Sequence, residues 1–209
     1  MNWEQNFIPN LKAHLLPRVK ILHCDTQQLP LIHSEENIQD ADLNHVVLKG
    51  ERIYRHNLLR VNYTTYDVRR AQETLNPRTD HRDIMVLSRQ PSAHPFCYGR
   101  VLGIYHANVI YVGPGLKDYQ PRRIEFLWVR WFEVLDRSAG WDHAALDSVR
   151  FPPMAQEDAF GFVDPADVLR CSHIIPAFAD GQMHPDGIAL SRNARDATDW
   201  KRYYVNRCK

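Results

Sequence analysis

Four side chains in this sequence have the types that bind a metal ion. "HPFC" supplies His94 and Cys97, and "CSH" supplies Cys171 and His173. Two imidazoles and two thiolates could close a tetrahedral zinc site if two strands brought them together. Their spacing matches no familiar zinc pattern, and buried cysteine with a hydrogen-bonded histidine is the expected outcome, so no metal and no cofactor is expected. Asp164 and Asp167 in "FVDPADVL" are a pair of carboxylates three residues apart. A nuclease would need several such acids converging on Mg²⁺. Asp-Pro-Ala-Asp also spells a helix N-cap, a proline at the first helical position and an acid near the third, and the cap is the expectation. No G-x-S-x-G occurs, and "YVGPGLKDY" lacks the G-K-[ST] ending of a phosphate loop and reads as a hairpin turn. No catalytic residue is expected.

The aromatic residues offer a different chemistry. In "RRIEFLWVRWFEVL", residues 122–135, two tryptophans and two phenylalanines fall within seven residues. At strand period Trp128 and Phe132 share one face with Ile124, Phe126 and Arg130, and Leu127, Val129 and Trp131 share the other. Both faces are apolar, which predicts a central strand covered on both sides. Trp128 and Phe132 should be core, and Trp131 should show an exposed ring face. Aromatic side chains left open can cage a methylated ammonium by cation–π attraction.

The elements that must position these residues are mostly strands. Residues 7–22 place Phe7 or Ile8, Leu11, Leu15, Val19 and Leu22 at helical spacing, with Pro9 in a first turn and Pro17 placed to kink or split the helix. Residues 23–45 are polar and unperiodic, a linker. From residue 46 to residue 209 runs a β domain. "VVLKGERIYRHNLLRVNYTTYDV" reads as strands with a turn at Lys49 and Gly50, "AQETLNPRTDHRD" as a loop and "IMVLS" as a short strand. "HPFCYGRVLGIYHANVIYV" reads as one long strand or two in succession, and "RRIEFLWVRWFEV" as the most apolar strand. Residues 136–159 are looser, residues 160–178 form a strand–turn pair, and "DWKRYYVNRC" closes the series. This pattern predicts a mainly β chain, a small distorted antiparallel barrel with an N-terminal helix and short helical turns.

With 209 residues and a net charge of +1, the chain carries no global field that would draw it to nucleic acid or membrane. Its middle is mildly basic, and Arg52, Arg55, Arg60, Arg69, Arg70, Arg78 and Arg82 are candidates for weak contact with DNA. Four scattered cysteines and a polar N-terminus predict reduced thiols in a nuclear or cytoplasmic protein, and no apolar run approaches a membrane span.

The series "DIMVLS…HPFCYGRVLGIYHANV…IEFLWVRWFEV…FGFVDPADVLRCSHIIPAF…WKRYYVNR" resembles the bromo-adjacent homology (BAH) domain over about residues 83–207. "YGRVLGIY" and "LWVRWF" are its closest matches. The chain is also similar, over most of its length, to the C-terminal region of Plavaka-type transposase-associated proteins of mushroom-forming fungi. "IYRHNLLRVNYTTYDVRRAQETLNPRTDHRDIMVLS" and "FVDPADVLRCSHIIPAF…DWKRYYVNR" carry that likeness. The resemblances imply a nuclear, non-catalytic interaction module whose partner is a protein, either a histone tail or the parent transposition machinery. The BAH likeness further implies an aromatic cage near Tyr98, Trp131, Phe160 and Phe162, with phenylalanine standing where tryptophan and tyrosine are usual.

Overall fold

The computed structural model describes residues 6–23, 40–64, 70–88, 94–135 and 146–206. The chain is mainly β, 48% strand against 19% helix. It divides into two compact units. The smaller holds residues 2–56 and 105–126, and the larger holds residues 57–104 and 127–209. The division does not follow residue 45, because the N-terminal helix shares its unit with the strand that follows and with residues 105–126.

In the smaller unit, α1 (Phe7–His23) runs unbroken through Pro17. A proline there removes one helical hydrogen bond and costs about 3 kcal/mol. Burial of Leu11, Leu15, Leu16 and Val19 offsets that cost, since each aliphatic side chain taken out of water returns about 1.5–3 kcal/mol. His23 is buried at the helix end, where its Nδ1 lies 3.2 Å from the Asp118 carbonyl and its own carbonyl accepts from Lys117. Leu22, expected on the buried stripe, is exposed instead. α2 (Asp40–Leu43) is one turn and leads into β1 (Val46–His56). The expected turn at Lys49 and Gly50 is a kink inside β1, with Gly50 at φ +63° and Glu51 at φ +53°. β1 pairs with the long strand β5 (Phe96–Tyr111), which also neighbours β6 (Arg122–Trp131). β5 and β6 each run through both units.

In the larger unit, β2 (Leu59–Thr64) and β3 (Arg70–Leu75) form a hairpin. β3 lies where the sequence predicted a loop: "AQETL" has little β propensity, and the strand is held by its pairing with β2 and by the buried Leu75. β4 (Asp83–Leu87), β7 (Glu133–Val134), β8 (Asp147–Arg150), β9 (Phe160–Val163), β10 (Val168–Cys171), β11 (His173–Pro176) and β12 (Tyr203–Asn206) complete the series. The central sheet has the order β10-β4-β5-β6-β9, and a second sheet has the order β11-β12-β8-β7. Asp164 caps a short 3₁₀ turn, accepting from the Ala166 N–H at 2.9 Å with Pro165 at the first position, as its sequence predicted.

Both faces of the central sheet are covered, which explains the doubly apolar pattern of β6. On one face Ile84, Val86, Val101, Leu127, Val129, Val163 and Val168 pack with Val61 and Leu75 of the hairpin. On the other, Met85, Tyr98 and Phe132 pack with Val149, Phe151, Ile174, Tyr203 and Val205. The chain is mainly β with antiparallel sheets, as the sequence predicted, and the described strands close no barrel.

Candidate functional site

The four cage candidates lie in separate surroundings. Tyr98 is fully buried and donates its hydroxyl proton to Asp147 at 2.8 Å. Phe160 is buried and stacks on Trp128 with ring centroids 5.6 Å apart, and Phe162 tilts against the same indole at 4.6 Å. Trp131 belongs to the opposite face, half-buried beside Leu127 and Val129. The sheet therefore separates Trp131 from Tyr98. Parity is the reason: adjacent β6 residues point to opposite faces, and Phe160 pairs with Arg130 rather than with Trp131.

Two glycines make room for Trp131. A Cβ on Gly161 would stand 2.6 Å from its indole Nε1, and one on Gly99 would stand 3.0 Å from its Cε3 and 2.3 Å from Val129 Cγ1. The indole therefore lies flat across the strands on either side of β6. "YGR" and "FGF" were the sequence signals for this seat.

A cation inside aromatic rings does exist, and the cation is the protein's own. The Arg100 guanidinium carbon lies 5.4, 5.0 and 5.4 Å from the ring centroids of Phe132, Phe151 and Tyr203. The Arg130 carbon lies 3.9 Å from the Phe151 centroid. Arg100 is bidentate to Asp83, at 2.9 and 3.3 Å, and also bonds Asp199 at 3.3 Å. Arg130 bonds the other Asp199 oxygen, and the Tyr203 hydroxyl donates to Asp199 at 3.3 Å. Two positive and two negative groups are thus buried together and compensate one another. Burial disfavours the charge on Arg100, but Asp83 outweighs it and holds the guanidinium above its ordinary value. Burial pushes Asp199 up against the pull of Arg130 and Arg100. Burial, then repulsion from Arg100, lowers Arg82. Sequence reading missed this cluster because Asp83 and Asp199 lie far from the arginines along the chain. An arginine inside "LWVRWF" at a predicted core position was the available signal.

The metal-type residues have different partners. His94 Nε2 faces Asp147 at 3.2 Å. Cys97 and Cys171 are half-buried against the hairpin-side core, and His173 is exposed. A cavity of about 170 Å³ is lined by Asp80, His81, Arg170, Cys171, Ser172, His173 and Asn206, and Arg170 there also bonds Glu73 at 3.4 Å.

The described arginines fall in both units. Arg52 and Arg55 are exposed on β1 in the smaller unit. In the larger unit Arg60 and Arg70 sit at opposite ends of the hairpin, Arg78 lies in the following turn, and Arg82 is half-buried. Arg69 falls outside the described residues.

Exposed apolar side chains gather on one stretch of the larger unit. Phe178, Ile188 and Leu190 are 67%, 66% and 78% exposed, and Met183 is also exposed. The stretch is nevertheless tightly hydrogen-bonded. The fully buried Asp196 accepts from the Leu190 and Ser191 N–H groups at 2.8 and 3.0 Å and lies 3.3 Å from His184 Nε2. Burial alone would raise Asp196, but these N–H donors hold its carboxyl below the usual value. The Met183 N–H bonds the Asp199 carbonyl, Gln182 bridges Trp200, and Phe178 meets Trp200 edge-on at 5.0 Å.

No family model, no curated protein and no solved structure matches this chain.

Proposed function

We propose that the chain is a non-catalytic interaction module that docks a protein partner through the loop of residues 177–200. The observation that carries this reading is the pairing of exposure with order. Large apolar side chains left in water cost free energy, while Asp196 ties the same loop at the Leu190 and Ser191 N–H groups. A partner segment with apolar side chains of its own would bury Phe178, Met183, Ile188 and Leu190 without any rearrangement of the loop. The acids that could serve chemistry are committed elsewhere: Asp83 and Asp199 to the arginines, Asp147 to Tyr98 and His94, Glu73 to Arg170 and the Cys171 N–H. The resemblances suggest a chromatin protein as the partner, or the parent transposition machinery, and a nuclear location.

The test is a binding isotherm of the full chain with nucleosome core particles, run beside the double variant Ile188→Gln, Leu190→Gln. Both side chains are mostly solvent-exposed, so the variant should keep its fold. Saturable binding that weakens about tenfold or more in the variant is expected, roughly 1.4 kcal/mol of lost apolar contact. Equal binding by both proteins would remove the loop from the account. Absence of saturable binding would remove the chromatin partner.

A further inference from the structure

On the smaller unit, two histidines from different strands share one hydrogen bond. His56 Nε2 of β1 lies 2.6 Å from His106 Nδ1 of β5, with ring centroids 4.8 Å apart. Tyr54, two residues earlier on β1, stacks on the His106 ring at 4.7 Å with the planes 10° apart. β1 holds the His106 imidazole from two sides, by a stacked phenol and by a second imidazole. β1 has β5 as its only sheet neighbour among the described strands. Its last residue is His56, so the pair sits where the strand ends.

We propose that Tyr54, His56 and His106 form a clasp that fastens the end of β1 to β5 at neutral pH and opens on acidification. The chemistry follows from proton bookkeeping. With both rings neutral, one facing nitrogen carries the proton and the other accepts it. The first added proton goes to an outer nitrogen of the donor ring, and the bond persists as a charged donor facing a neutral acceptor. The second places N–H groups on both facing nitrogens. No hydrogen bond survives, and two cations are left 2.6 Å apart.

The neighbouring charges favour opening at that second step. Arg123 of β6 adds a third positive charge near His106, while Glu125 of β6 opposes it. Glu125 is itself engaged by Arg123 at 2.8 Å, which blunts its help. Burial, then Arg123 and His56, lower His106 below its ordinary value. The unfolded chain therefore binds more protons than the folded one just below pH 6.5, and the clasp loses stability as pH falls through that value.

Long-range ¹H–¹⁵N NMR of the full chain tests this, because it reads the charge and tautomer of each imidazole across pH 4.5–8. The expected result is that the His56 and His106 signals change together, with His106 taking its proton below its ordinary value. In His56→Gln the coupling should vanish and His106 should titrate in one step at higher pH. Amide exchange of residues 52–56, normalised to residues 203–206 to remove the intrinsic pH dependence, should accelerate on acidification in the wild type. Near-ultraviolet dichroism checks that His56→Gln is folded, and should it not be, His56→Phe, which keeps an aromatic ring against His106, replaces it. Two independent single-step curves in the wild type, or a His106 titration unmoved by the substitution, would overturn the clasp.

Discussion

At the scale of single residues, the buried charges and the glycine seat make the strongest claims. Asp199 serves two arginines at once, so its removal leaves two guanidiniums in an apolar interior with one carboxylate between them. Asp199→Ala should cost about 3–5 kcal/mol in urea unfolding. A loss under about 1 kcal/mol would mean that water reaches the cluster. Trp128, 7% exposed between two phenylalanines, should cost about 3–5 kcal/mol on truncation to Ala, and half-buried Trp131 distinctly less. Gly161→Ala should destabilise by driving a methyl group into the Trp131 indole. The same change in a Trp131→Ala background should cost little, giving a coupling of about 1–3 kcal/mol in a double-mutant cycle. Additive costs would show that the indole does not lie over Gly161.

Among the elements, β1 carries backbone strain that substitution can probe. Gly50 is left-handed with open space around it, so Gly50→Ala should cost about 1–2 kcal/mol through conformation alone. Glu51 pays that cost already, and Glu51→Gly should gain up to about 1 kcal/mol. Thermal unfolding of the two variants should shift in opposite directions, and shifts of the same sign would contradict the kink. Elements with strong periodicity were legible in the sequence. The buried stripe of α1, the doubly covered β6 and the Asp164 cap follow from spacing and turn chemistry that act locally. β3 was not legible, because "AQETL" becomes a strand only through pairing with β2. β8 hid in a polar stretch for the same reason. The site was less legible than the elements. Strand parity correctly divided Trp128 from Trp131, but the ion cluster joins Asp83, Arg100, Arg130 and Asp199, which only the folded sheets bring together.

For the molecule as a whole, charge distribution and surface decide what it can hold. With a net charge of +1, DNA contact should involve about two phosphates, so a fourfold rise in salt should weaken binding about tenfold. A much steeper slope would indicate a continuous basic face. Acid should loosen the apolar loop through Asp196. The lowered Asp196 contributes stability above its ordinary value of 3.8, and that contribution disappears as pH falls further through its folded value. This fold surrounds its own Arg100 with the rings of Phe132, Phe151 and Tyr203, and Tyr98 is buried. The most direct test measures the affinity of the full chain for histone tail peptides with unmodified and trimethylated lysine, side by side with Trp131→Ala. Both peptide forms should bind with the same affinity within about twofold, with no dependence on Trp131. A tenfold or greater preference for the trimethylated peptide, about 1.4 kcal/mol, that disappears in Trp131→Ala would contradict it.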